Sequence, residues 1–434
     1  MATRSAASAE TASLKTAVVL IGGMFFIFGF VTWLNGPLIS FVKLAFALSD
    51  VEAFLVPMAF YMSYFFLALP AAAILRRTGM KRGMALGLLV MALGAVLFGQ
   101  FATMRLFGGA LAGLFVIGAG LALLQTAANP YISIVGPIDS AAQRIAVMGI
   151  CNKGAGIIAP LVFGLLVMRG VGDFGAQVAA APDAATRDAL LTTFAHQVHW
   201  PYLGMAALLA MLALGVLYSP LPELVPDDDE ASAADGRSLL AFPQLWLGVL
   251  CLFLYMGAEV MAGDAIGTYG AGFGLPISQT AYFTSLTLAG MLIGYICGLV
   301  LIPRFVSQER YLAISAILGV VFVIGAFFTR DYLSIAFVAA LGFANAMMWP
   351  AIFPLAIRGL GRHTETGSAL LVMAICGGAI FPQLFALLKQ HHSFQLVFLA
   401  LMAPVYCYIL FFALFSRRIS AGPPARAGHP NIAM

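Results

Sequence analysis

The chain has 434 residues, 62% of them hydrophobic and only 9% charged, with a net charge of +4. A soluble globular domain carries about a quarter charged residues, so that class is excluded, and so small a positive charge spread over short loops gives no support to a nucleic-acid partner. Apolar windows of about 20 residues recur throughout, each long enough to cross ~30 Å of hydrocarbon, which describes an all-α protein embedded in a lipid bilayer.

Residues 1–16 form a polar leader that lacks the basic region, short apolar core and cleavage site of a secretory signal, so it is expected to stay in the mature protein. Polar, Gly and Pro breaks then predict twelve transmembrane helices at 17–42, 53–75, 84–103, 109–136, 143–168, 199–219, 244–272, 279–303, 311–329, 332–357, 367–388 and 393–416. Residues 17–219 make a first six-helix half and 244–416 a second. Between them PLPELVPDDDEASAADGRSLLAFP (220–243) reads as a cytoplasmic linker, and 417–434 as a cytoplasmic tail. With both termini inside, fifteen Lys and Arg fall in inner segments and six in outer loops, with Lys153 left inside a span; the positive-inside rule therefore puts both ends in the cytoplasm.

The halves repeat one another. VMGICNKGAGIIAP (147–160, fifth span) matches VMAICGGAIFP (372–382, eleventh span), and ANPYISIVGP (128–137) in the fourth span faces MWPAIFPLAIRGLG (348–361) in the tenth. The loops RRTGMKRG (76–83) and PRFVSQER (303–310) are both basic and are expected either to latch cytoplasmic helix ends or to be solvated loops that merely enforce topology. Matching elements six helices apart with the same polarity imply a parallel duplication, with a site at mid-membrane between the halves.

Polar side chains at that depth are costly unless paired or wetted, so each is a functional hypothesis. In chain order they are Trp33 and Asn35 before the helix-breaking Gly36-Pro37, Gln125 and Asn129 on one face of the fourth span, Asn152 in the fifth, and Asn345 with Trp349 in the tenth. Rings beside amides suit a sugar, whose C–H faces stack and whose hydroxyls take hydrogen bonds; the alternative is interhelical glue. Glu259, about 15 residues into the seventh span, and Lys153, about 10 into the fifth, reach similar depth on opposite halves. The two are expected to pair across the cavity, against the alternatives of a static ion pair or a lysine reaching back to the surface. Asp264 is rotated ~140° from Glu259 and is expected nearer the outer mouth.

Cys151, Cys251, Cys297, Cys376 and Cys407 all lie in apolar spans and read as buried free thiols. No HExxH, P-loop, GxSxG or metal-spaced cluster occurs, so an enzyme and a resident cofactor are not expected.

The motifs FFIFGFVTWLNGPL (25–38), FYMSYFFLALPA (60–71), LALLQTAANPY (121–131), ICNKGAGIIAP (150–160), YMGAE (255–259) and MMWPAIFPLAIRGLG (347–361) together resemble the bacterial glucose/galactose transporter family. That family is a fucose-galactose-glucose symporter branch of the major facilitator superfamily. The resemblance implies a monomer of twelve helices in two halves that imports a hexose across the bacterial cytoplasmic (inner) membrane with a proton or sodium ion.

It also names the departures. Proton-driven fucose permeases of the family carry one acid directly after the first-span asparagine and another opening the fourth-span motif, where this chain has Gly36 and Gln125. The pattern with Gln125 is similar to the family's sodium-dependent glucose carriers. A sodium ion near Glu259, held by amide and backbone oxygens, and a proton on Glu259 both remain open. So do carriage of fucose or N-acetylglucosamine, a facilitative uniporter, and a non-transporting sugar sensor. The expected sugar shell is Trp33, Asn35, Gln125, Asn129, Asn152, Asn345 and Trp349, with Glu259, Lys153 and Asp264 as coupling residues.

Overall fold

A computed structural model describes residues 2–134, 141–168, 171–221, 238–302, 304–360 and 363–420; the side chains of 2–17, 129–130, 133–134, 141–143, 145–146, 173, 365 and 419–420 lie outside that description. Twelve helices are long and apolar enough to cross a membrane: Val18–Ala45, Asp50–Thr78, Met80–Thr103, Phe107–Ala128, Val147–Leu166, Ala184–Tyr218, Pro243–Gly263, Ile277–Leu301, Gln308–Phe328, Asp331–Ile357, Thr366–Leu388 and Phe394–Arg418. The protein is a multi-pass membrane protein. In hydrocarbon every backbone N–H and C=O must be satisfied within the chain, which leaves helices as the only way for such apolar windows to span.

Large apolar side chains turn outward, as at Phe66, Leu93, Leu165 and Met211, all more than half exposed on the face lipid would cover. Small residues turn inward. The third and fourth spans pack backbone to backbone: a Cβ on Gly87 would come 2.8 Å from Gly120 O, and one on Gly94 within 2.8 Å of Gly113 O.

Several expectations are corrected in detail. The first helix already begins at Ala2, so the leader continues it. The outer segment before residue 199 holds two short helices, Val171–Ala179 and Ala184–His196, where a loop was expected. Asp183 starts the second of them by accepting the Thr186 backbone N–H at 2.6 Å, a contact that also holds its carboxyl below the usual range. Of the cysteines all are free, but only Cys251 and Cys376 are buried and Cys407 is exposed. The linker falls largely outside the described residues; its end, Leu239–Ala241, is a single 3₁₀ turn before Pro243 opens the seventh span.

Two spans six apart are broken at the same level. The first span divides into Ala2–Trp33 and Asn35–Ala45, and the seventh into Pro243–Gly263 and Ile266–Ala271. Pro37 accounts for the first break, since it has no N–H to continue the ladder. The tenth span also breaks, between Asn345 and Met348, whereas the fourth runs unbroken over Phe107–Ile134.

At the ends expected to face outward, the halves are closed on each other. Asp50, beginning the second span, pairs with Lys43 of the first half and Lys389 of the second, each at 2.5 Å. Gln383 Nε2 donates to Val51 O at 3.2 Å, and the Phe54 and Phe385 rings meet edge-on. At the opposite ends Lys81 Nζ donates to Ser219 O at 2.8 Å and Arg358 stands 3.7 Å from Glu309. The first basic turn thus touches a helix end through Lys81, and the second is touched through its acid, Glu309.

Candidate functional site

The broken first and seventh spans lie side by side, and the charged residues of the core gather around them. Lys153 Nζ donates to Glu259 Oε1 at 2.6 Å across the two halves, with both side chains under a tenth exposed. The same ammonium stands 4.5 Å from the centroid of the Trp33 ring. Trp33 Nε1 in turn donates to Asn152 Oδ1 at 3.4 Å, so Trp33, Asn152, Lys153 and Glu259 form one contiguous group. Lys153 does not reach back to the membrane surface.

Glycines make this approach possible. A Cβ on Gly156 would come 2.5 Å from the Trp33 ring and one on Gly263 would meet the same ring at 2.5 Å, so the indole is wedged between the fifth and seventh spans. On Gly29 a Cβ would lie 2.3 Å from Asn152 O, which sets the first and fifth spans in backbone contact. These small residues let an indole, an amide and an ion pair share the interface.

Asp264, further along the seventh span than Glu259, is also enclosed. It is 1% exposed, and its Oδ2 accepts the Tyr61 hydroxyl of the second span at 3.2 Å, from the opposite half. It stays about 140° round the helix from Glu259, since its backbone is still helical, with φ −85° and ψ −36°, and its N–H bonds Val260 O at 2.7 Å; the break follows it. Glu259 and Lys153 both act electrostatically on Asp264, and its carboxylate faces the backbone N–H of Gly36.

The other expected residues divide. Gln125 Nε2 donates to the Tyr64 hydroxyl at 3.1 Å within the first half, and Thr126 bonds back to Ala122 O. Asn345 is fully buried, its Oδ1 taken by the Tyr406 hydroxyl at 2.8 Å within the second half. Trp349 is half-buried and stacks on Phe353 with centroids 5.7 Å apart. Asn129 lies on the fourth helix, but its side chain is outside the described residues.

Sequence reasoning missed the tyrosines. Tyr255, one turn before Glu259 on the same helix face, interacts with its carboxylate, and Tyr61, Tyr295 and Tyr406 also lie within its electrostatic reach. Their spacing was available in the string: Tyr61 and Tyr64 are three apart, and Tyr255 and Glu259 four apart.

Four buried polar atoms at this level have no hydrogen-bond partner among the described residues: Thr32 Oγ1, Asn35 Nδ2, Asn345 Nδ2 and Asp264 Oδ1. Buried polar groups are ordinarily satisfied, so a set of unmet donors and acceptors marks where a hydroxylated ligand or an exchangeable proton fits. Among the described residues no three His, Cys, Asp or Glu side chains are grouped as metal ligands. Two cavities lie away from this cluster. One of about 210 Å³ is an apolar crevice at Phe30, Phe163 and Met205, and one of about 660 Å³ lies at the outer face beside Lys43, Asp183 and Arg187.

Comparison with known proteins gives the family and the fold. Residues 21–382 match the family model described as Major Facilitator Superfamily. A glucose/galactose transporter of Brucella abortus is 31% identical over 419 residues, which cover 94% of this chain and 97% of that protein. The L-fucose-proton symporter of Escherichia coli is 28% identical over 406 residues, 92% of each. Among solved structures the chain superposes on the transporter FucP in its outward conformation with a TM-score of 0.75, at 27% identity over 93% of this chain and 99% of that one.

Proposed function

The chain belongs to the Major Facilitator Superfamily, and from that premise we propose that it imports a hexose, glucose or galactose, by alternating access coupled to one monovalent cation. The observation that carries the reading is the polar cluster shared by both halves: the Lys153–Glu259 pair beneath Trp33, with the amide nitrogens of Asn35 and Asn345 unpartnered nearby in the core. Rocking of two such halves opens the cluster to one side and then the other.

In this role Trp33 and Trp349 offer ring faces to sugar C–H groups, while Asn35, Gln125, Asn129, Asn152 and Asn345 offer amides to hydroxyls. An amide shell can exchange the present contacts with Tyr64, Trp33 and Tyr406 for contacts with sugar hydroxyls without burying new charge. Lys153 and Glu259, one from each half, respond to how far apart the halves stand and join sugar occupancy to the cation. The chain resides in the bacterial cytoplasmic membrane as a monomer, with both termini and the 220–243 linker inside. The names of the relatives quoted above support a sugar substrate and symport.

The test is competition. Labelled galactose uptake into proteoliposomes is challenged with unlabelled glucose, galactose, fucose and N-acetylglucosamine. Strong inhibition by glucose and galactose supports the reading, and inhibition by fucose or N-acetylglucosamine alone moves the substrate to that sugar. No uptake under any gradient turns the reading towards a sensor.

A further inference from the structure

Resting on the cation-coupled reading above, we propose that Asp264 carries the coupling cation as a proton on its free Oδ1, and that the outer face closes over it only once it is neutral. Three ionisable side chains share the buried centre. Lys153 is committed to Glu259 at 2.6 Å, and among the described residues no Lys, Arg or His pairs with Asp264. One base and two acids leave one negative charge in excess, and an uncompensated buried charge costs several kcal/mol. One monovalent cation removes it, which sets a stoichiometry of one per closure.

The surroundings select a proton over a metal ion. The groups facing the carboxyl from the packed elements are the Tyr61 hydroxyl of the second span and the Gly36 N–H of the first, both donors, with Lys153 of the fifth and Glu259 of its own helix further off. Two carbonyls at the helix break each already accept a hydroxyl, Gly263 O from Thr284 Oγ1 at 2.8 Å and Ala262 O from Thr287 Oγ1 at 2.7 Å. A metal ion needs several oxygens turned towards it, whereas the two groups on this carboxyl turn hydrogens towards it. A proton needs one lone pair, and Oδ1 has no partner among the described residues.

The position also supplies the gate. Tyr61 and Gly36 belong to one half and Asp264 to the other, so opening the outer face withdraws both and admits water to the carboxylate. Hydrated, the anion is stable; closing strips the water, and the carboxylate must first take a proton from the outer solution onto Oδ1. Opening to the cytoplasm rehydrates the group, and the O–H bond breaks to release the proton there.

The full chain, with native cysteines replaced by Ser and Ser40→Cys added, is reconstituted in proteoliposomes. Ser40 faces Gly267 across the closed outer ends, so a membrane-impermeant maleimide reads outer opening without any sugar. The expected result is labelling that falls as external pH falls, relative to an always-exposed cysteine, and that stays low at every pH in Asp264→Asn. In parallel, an inward gradient of about one pH unit drives about tenfold accumulation of labelled galactose at one proton per sugar. A sodium gradient drives none, and Asp264→Asn exchanges the sugar without accumulating it.

Labelling independent of pH with Asp264 intact, accumulation driven only by sodium, or accumulation by Asp264→Asn equal to the parent would each overturn the proposal. Tyr61→Phe, which deletes the donor to the anion, is the second variant should Asp264→Asn not fold; it moves closure to higher pH, and an unmoved profile counts against the proposal. Sugar uptake that fails everywhere while pH still controls labelling removes the hexose reading and leaves Asp264 in its role.

Discussion

Lys153 Nζ and Glu259 Oε1 meet at 2.6 Å, the one from the fifth span of the first half and the other from the seventh span of the second. Both are buried, so each holds the other's charge in place.

Removing one partner strands the other's charge. Lys153→Met is expected to destabilise the protein by roughly 3–5 kcal/mol, whereas Lys153→Met with Glu259→Leu returns most of that loss. Thermal unfolding of the purified variants in detergent checks it; a double variant as unstable as the sum of the singles would show that the two side chains are not coupled.

Gly36 tests the close approach where the first span breaks. A Cβ there would sit 2.4 Å from Thr284 Oγ1, and that hydroxyl bonds Gly263 O at the break. Gly36→Ala alone should hold the outer face open and increase maleimide labelling at Ser40→Cys. Adding Thr284→Ala removes the clashing oxygen and should restore closure. If the double variant stays open, the clash is not the cause.

Asp50 holds an ion pair to each half, with Lys43 and Lys389. Only the Lys389 pair crosses between the halves, and a partly exposed pair contributes about 0.2–1 kcal/mol, so Asp50→Asn should shift the outer face towards open by only about 1.4- to 5-fold. The same labelling measured in high salt should reproduce the variant in the parent protein. No response to either change would make the triad a bystander to closure.

The Asn35 amide nitrogen has no hydrogen-bond partner among the described residues, so its loss should cost binding and little stability. Asn35→Ala is expected to raise the half-saturating galactose concentration about tenfold, the worth of roughly one hydrogen bond of about 1.4 kcal/mol, with an unchanged melting temperature. A lowered melting temperature with unchanged half-saturation would assign Asn35 to packing.

Much of this was legible in the string. Length of apolar windows suffices to count spans, because hydrocarbon leaves a spanning backbone no alternative to the helix. Depth by rise per residue brought Lys153 and Glu259 to one level, and both helices are continuous up to those positions. What that arithmetic could not reach is the partner of Asp264, since rotation along one helix says nothing of the Tyr61 hydroxyl that the second span brings to it. The tyrosine hydroxyls escaped notice because Tyr reads as apolar in a hydropathy window, and their value appears only once Tyr61 and Tyr406 are seen against Asp264 and Asn345. The outer helices at 171–196 were missed because their residues are mixed in polarity; their shape comes from the Asp183 cap and from Leu191 and Phe194 docking on the bundle.

The most direct test of the account is uphill transport by Glu259→Gln. Proteoliposomes holding the parent or the variant receive labelled glucose or galactose under an imposed proton gradient or an imposed sodium gradient. The account predicts that the parent accumulates sugar under one cation gradient. Glu259→Gln, in which Lys153 and Asp264 balance without any cation, should only equilibrate it. Downhill equilibration by the parent under both gradients would contradict the account, making the protein a facilitator and Glu259 a structural charge.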